Sequence, residues 1–219
     1  MPLCKIRTSK LTYGEIRRIT GLFGFPLMAL LKFVRCDFPV SCRVLMPCFW
    51  RDMQVPAESL SSEVHNHIER VRAALPPTER QWECHFFRRP NQGSMITDSG
   101  GAFFFAPGER FSLMHVYAHA AMGPAFSSTY VVSFRQDGNT IATTNNLQGF
   151  DPLSGSLCHA RKGSPSDLIQ HHLATIASVR DLAIFKSFSE FTEAYDRKET
   201  LQSDWDFRRG AFAAANEAS

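Results

Sequence analysis

Thr129-Tyr130-Val131-Val132-Ser133-Phe134-Arg135-Gln136, then Asp137-Gly138, then Asn139-Thr140-Ile141-Ala142-Thr143-Thr144: this stretch decides how the chain reads. Both flanks are rich in β-branched and aromatic residues, which suit a pleated, half-buried surface. Asp-Gly tolerates the positive φ values of a two-residue type I′ turn, and that turn matches the twist of paired antiparallel strands. The spacing predicts a hairpin.

Three further strands are expected upstream. Gln81 to Arg88 is bounded by Pro90-Asn91-Gln92-Gly93, Ala102 to Phe105 by Ala106-Pro107-Gly108-Glu109, and Phe111 to Ala120 by Gly123-Pro124. Residues 111–122 read as a strand, although Gly123-Pro124 would also stop a helix there. With the hairpin these make an antiparallel meander of four to five strands across 81–145. Leu60, Val64, Ile68, Val71 and Leu75 recur at steps of three and four with charged residues between them, which predicts an amphipathic helix around 57–75. Pro56 suits its first turn and Pro76-Pro77 its end.

Downstream, Asn145 to Gly163 reads as a long loop, a length that calls for a flap or a crossing. Ser164-Pro165-Ser166-Asp167 has the form of a capped helix start, with Leu168, Ile169, Leu173 and Ile176 as its stripe. A last helix is expected from Ser187, with Phe188, Phe191, Tyr195, Leu201 and Trp205 inward. The reading is α+β: one domain across 42–210 with two C-terminal helices, a basic, apolar N-terminal segment over 1–41, and a flexible tail over 211–219. By topology alone, a helix against an antiparallel meander is similar to cystatin-like rolls, an analogy that carries no function.

Composition narrows the partners. The 219 residues are 44% apolar with 19 Phe, ample for a core, and the net charge is only +3. Residues 1–35 hold Lys5, Arg7, Lys10, Arg17, Arg18, Lys32 and Arg35 against Glu15 alone, so the rest of the chain is net acidic. Nucleic acid is therefore not expected as a partner. Within the basic segment, Ile19 to Leu31 is apolar but contains two Gly and one Pro, and it falls short of the about 20 residues that span a bilayer. Three readings compete for it: a core or docking helix, a membrane-contacting segment, and a cleaved signal. The signal lacks an A-x-A site; Pro39-Val40-Ser41-Cys42 is only a faint lipoprotein box.

The chemical motifs are sparse. Six cysteines without any C-x-x-C predict reduced thiols rather than staples or a zinc ribbon. His115 and His119 form H-x-x-x-H without the adjacent Glu of a zincin; on a strand they would stand about 13 Å apart, too far for one ion. Thr97-Asp98-Ser99-Gly100-Gly101 resembles the nucleophile stretch of chymotrypsin-like proteases over four residues. Without a double barrel behind it, it reads as a turn. No P-loop, G-x-G-x-x-G, G-x-S-x-G or EF-hand loop occurs.

The leading expectation is a non-enzymatic binding or accessory domain, held near a membrane or a protein partner by Arg17, Arg18, Leu22, Phe23, Phe25, Leu27, Leu31 and Lys32. The rival is a small-molecule enzyme with a pocket on the sheet face, using His115, Tyr117 or His119 as acid, base or ligand. Neither cofactor nor metal is expected. A cytoplasmic or membrane-associated location is favoured over secretion.

Overall fold

The structure is a computed structural model and describes residues 3–35, 43–45, 48–77, 81–88, 96–120, 125–146 and 152–214. The expected turns at Pro90 to Gly93 and Gly123-Pro124, together with Cys36 and Cys42, lie outside the described residues.

Among the described residues the chain forms nine strands and five α-helices. The N-terminal part carries β1 (Leu3–Ile6), α1 (Tyr13–Phe33), β2 (Arg43–Leu45) and the short α2 (Trp50–Met53). Then come α3 (Ser62–Ala73), β3 (Glu83–Phe87), β4 (Ile96–Phe105), β5 (Ser112–Ala120), β6 (Phe126–Phe134), β7 (Thr140–Thr144) and β8 (Leu157–Ala160). The chain closes with α4 (Pro165–Ile176), α5 (Phe188–Arg208) and β9 (Phe212–Ala214).

The class is α+β, and the meander is present: β3 to β7 pair in sequence order, each antiparallel to the next. A sixth strand extends it. β8 joins β7 in parallel inside the stretch expected to be a long loop, with Ile141 opposite Leu157 and Thr143 opposite His159. Four residues between turns give too short an alternation to stand out in sequence.

The Asp137-Gly138 hairpin forms with a different turn. Gly138 N–H donates to Arg135 O and Arg135 N–H to Asn139 O, which is a three-residue loop rather than a two-residue one. Only Gly138 takes a positive φ, 87°. That is a type I turn closed by a glycine bulge. Asp137 stabilises it by accepting from the Asn139 backbone N–H and side-chain amide, both at 2.9 Å.

Asp98 to Gly101 is strand, not turn. It belongs to β4, which bulges between Ile96 and Asp98 and pairs Gly100 with Tyr117 and Gly101 with Val116. The glycines serve close approach. A Cβ on Gly100 would stand 2.8 Å from Leu60 Cδ2 and 2.9 Å from Val64 Cγ1, so the absent side chain is what lets the start of α3 settle onto the sheet. The helix itself begins later than its apolar period: Ser61 is the cap, accepting from Val64 N–H, and Ala57–Ser59 form a separate 3₁₀ turn after Pro56.

Helices cover both faces of the six-stranded sheet, unlike a roll wrapped on one helix. On one face Val64, Ile68 and Val71 of α3 and Leu168 and Ile169 of α4 pack with Ala102, Phe104, Leu113, Tyr117 and Val131. On the other, Phe191 and Tyr195 of α5 and Met53 of α2 pack with Phe87, Phe103, Phe105, Val116 and Phe134. Trp50 meets Phe103 and Phe188 edge-on there. The capping box at Ser164–Asp167 is formed as expected, but Leu173 is exposed and His172 takes the buried position.

The first and last described strands pair. β1 lies between β2 and β9, and Ala211 and Phe212 are buried with Leu11 and Ile16. The flexible tail expected from residue 211 is thus a strand as far as Ala214; residues 215–219 lie outside the described ones. Its small residues fit a narrow pairing with β1.

Candidate functional site

Strand alternation puts His115 and Tyr117 on the same face of β5, under α3. α3 contributes Glu63 and His67, one helical turn apart. The Tyr117 hydroxyl donates to the Glu63 carboxylate. The His67 ring stacks on Tyr117 at 4.1 Å and lies 6.4 Å from the His115 ring, the two imidazole planes 11° apart. Four functional groups therefore converge at the seam between α3 and β5. Sequence reading placed His115 and Tyr117 together but missed Glu63 and His67, which meet them only through the packing of α3 on β5.

His115 is the unusual member. It is only 3% exposed, its Nδ1 sits 2.9 Å from Thr129 Oγ1 on β6, and its Nε2 has no hydrogen-bond partner among the described residues. A buried polar atom left bare costs about 1–3 kcal/mol. Burial pushes the His115 pKa down to about 4, with a smaller push from His67. His67 is lowered too, by burial and then by Arg70, against an upward pull from Glu63. At neutral pH the seam therefore presents two uncharged imidazoles. His119 stands half-buried two positions further along β5. Among the described residues no group of three or more His, Cys, Asp or Glu could hold a metal ion.

A second buried histidine shows what a fully satisfied one looks like here. Ser133 Oγ donates to Arg110 O at 2.6 Å, so its contact with His172 Nε2 at 2.9 Å must be accepted from an Nε2–H. His172 Nδ1 is then the acceptor for the Thr143 hydroxyl at 3.1 Å. Burial, with His159 and His171 nearby, pushes its pKa to about 4 as well. His172 pins α4 to β6 and β7, and its position on the apolar stripe of α4 was the signal that sequence reading passed over.

The N-terminal residues form a different surface. The apolar run is helical, within α1, and the helix is fastened at its base. Thr12 and Glu15 form a capping box, and the buried Glu15 carboxylate is held by both Arg209 Nη atoms, at 2.9 and 2.5 Å. Arg209 Nε also bonds Asp206, at 2.8 Å. Phe25 and Met28 lean on the small cluster around Ile16 and Phe212. Beyond that, Ile19, Leu22, Leu27, Leu30, Phe33 and Val34 are exposed, Leu22 by 71% and Phe33 by 77%. At 3.6 residues per turn their directions fall within about 140° of one another, so they share one helix face.

Of the expected contact residues, Leu22 and Leu27 are exposed with Arg17, whereas Arg18, Phe25, Leu31 and Lys32 are half-buried. Lys32 Nζ donates to Ser9 O at 3.1 Å and lies over the Tyr13 ring. The Phe23 side chain lies outside the described residues. Sequence reading missed Phe33 and Val34, since the apolar run was cut at Leu31, and it left Ile19 and Leu30 out of the contact set although both lie within that run. No described helix is long and apolar enough to cross a membrane. No family model matches the chain, and neither does any curated protein or solved structure.

Proposed function

We propose that the protein is a non-enzymatic binding or accessory domain that meets a partner or a membrane surface through α1. One observation carries this: six large apolar side chains stand in water on one face of a helix whose base is locked to the C-terminus. Each forgoes about 1.5–3 kcal/mol of burial, and a contiguous set of this kind marks an interaction surface more than scattered exposure does.

The small-molecule enzyme remains the second reading, favoured by the bare Nε2 of His115. That nitrogen could act as base or ligand contact. The Tyr117 hydroxyl is already committed to Glu63, which weakens it as an acid.

Nile red, an uncharged dye, tests the docking surface. Native protein should bind it, and the paired variant Leu22→Asp with Leu30→Asp should lose that binding at an unchanged melting temperature. Dye binding equal in both, or a variant that unfolds, would place this face inside the fold and end the reading.

A further inference from the structure

Resting on that reading of α1, we infer that its occupant is an anionic lipid surface, with the helix lying in the plane of the interface. The apolar face sits at the acyl boundary, and the exposed Arg17 and Arg35 at its two ends sit among the headgroups.

Charge complementarity decides the occupant. The exposed Arg17 and Arg35 flank the stripe, and the single acid between Leu11 and Arg35 is Glu15, which is buried and already paired with Arg209. The two ends of the apolar face are thus cationic, and α1 brings no exposed carboxylate beside them. A second copy docking stripe to stripe would add like charges and no carboxylate from its own α1. An anionic headgroup layer supplies the missing charge across the whole length, about 31 Å for 21 helical residues.

The backbone argues for the same depth. Pro26, inside α1 and exposed, has no N–H to donate to the Leu22 carbonyl. At the headgroup level water reaches that carbonyl; in the hydrocarbon core it would stay unpaired, which fits a helix that lies on the bilayer and does not cross it. The exposed Ile19, Leu22, Leu27, Leu30, Phe33 and Val34 also offer no polar side chain to set a register in a protein groove. A fluid lipid surface asks for none.

Co-sedimentation of the full chain with vesicles tests this, using phosphatidylcholine with and without phosphatidylserine at low and high salt. Binding should require phosphatidylserine, weaken with salt, and fall about fivefold for each of Arg17→Gln and Arg35→Gln. Leu22→Asp with Leu30→Asp should abolish it. Equal, salt-insensitive binding to both vesicle types would overturn the electrostatic half of the inference. Absence of binding to either, in protein that still takes up Nile red through this face, would overturn the lipid inference while leaving the docking surface standing. Concentration-dependent self-association in sedimentation velocity would then identify a second copy as the occupant.

Discussion

Replacing Gly101 by alanine puts a methyl group where the neighbouring strand already has backbone. Its Cβ would stand 2.2 Å from the His115 carbonyl oxygen and 2.6 Å from Phe87 Cζ. Ordinary carbon contacts lie at about 3.5–4.0 Å, so β4 and β5 must part by about 1 Å or more locally. The Phe87 ring can tilt, but the carbonyl cannot move without disturbing the ladder beside it. Overpacking costs about 1–3 kcal/mol, and one or two weakened ladder hydrogen bonds add about 1 kcal/mol each, or roughly 2–5 kcal/mol together. For a chain of this size that lowers the melting temperature by roughly 4–20 °C. Two controls separate this close approach from glycine effects in general. Gly108 has φ 88° with nothing within 4 Å of its Cβ position, so Gly108→Ala should cost only the left-handed strain, about 1–2 kcal/mol. At Gly100 the obstacles are the ends of the Leu60 and Val64 side chains, which can rotate, so Gly100→Ala should fall near about 1–2 kcal/mol. Thermal and urea melts of the three variants give the order directly. A Gly101→Ala protein as stable as Gly108→Ala would refute the strand assignment of residues 98–101.

Three further outcomes are expected. His115 and His172 have pKa values pushed to about 4, below the about 6.5 of an unfolded histidine, so the unfolded chain binds more protons between these values. Their stability contribution is complete above pH 6.5 and is lost as pH falls toward 4, by at most about 1.4 kcal/mol per pH unit each. Urea midpoints from pH 7 to 5 should fall less steeply for His115→Phe, and an unchanged slope would count against a neutral buried imidazole. Arg209→Met strands the Glu15 and Asp206 carboxylates and should cost about 3–5 kcal/mol, with amide protection in the first turns of α1 lost ahead of the sheet. Uniform loss of protection would show that α1 is not separately fastened. Ile68→Asp puts a charge into a fully buried position between α3 and the sheet and should unfold the protein, whereas Glu69→Ala should leave the melt nearly unchanged.

What was legible in the sequence was whatever has a long period or a stereotyped start. The stripe of α3, the capped starts of α4 and α5, and the strands around Asp137-Gly138 each carry many residues that agree with one another. The parts that escaped are those in which a few residues serve a distant partner. Gly100 and Gly101 look like a turn because their role, admitting Leu60 and Phe87, exists only once the elements are assembled. The three-residue loop at Gly138 differs from the two-residue turn through Gln136, whose inclusion only the ladder register reveals. β9 hid in a run of small residues, because its signal is the edge of β1, two hundred residues away. The same holds at the candidate site: His115 and Tyr117 could be placed on one strand face, yet Glu63 and His67 join them only through the way α3 crosses β5.

α1 is fastened to one end of α5, and that placement bears on the proposed role of its exposed face. Glu15 in the first turn of α1 is held by Arg209, which directly follows α5, and β9 continues from there to pair with β1. Further up the same helix, Phe191 and Tyr195 are buried against the six-stranded sheet, and Trp50 N–H bonds Asp196 at 2.7 Å. α5 is therefore a continuous rod between the base of α1 and the aromatic face of the sheet. A carboxylate pair sharing one guanidinium is costly to bury and gives little net stability over apolar packing, but it fixes geometry, since no other arrangement satisfies all its charges. The lock on Arg209 thus sets the direction in which α1 leaves the fold. If α1 lies on a surface as proposed, it needs such a fixed exit, because its exposed apolar side chains have little contact with the protein to orient it.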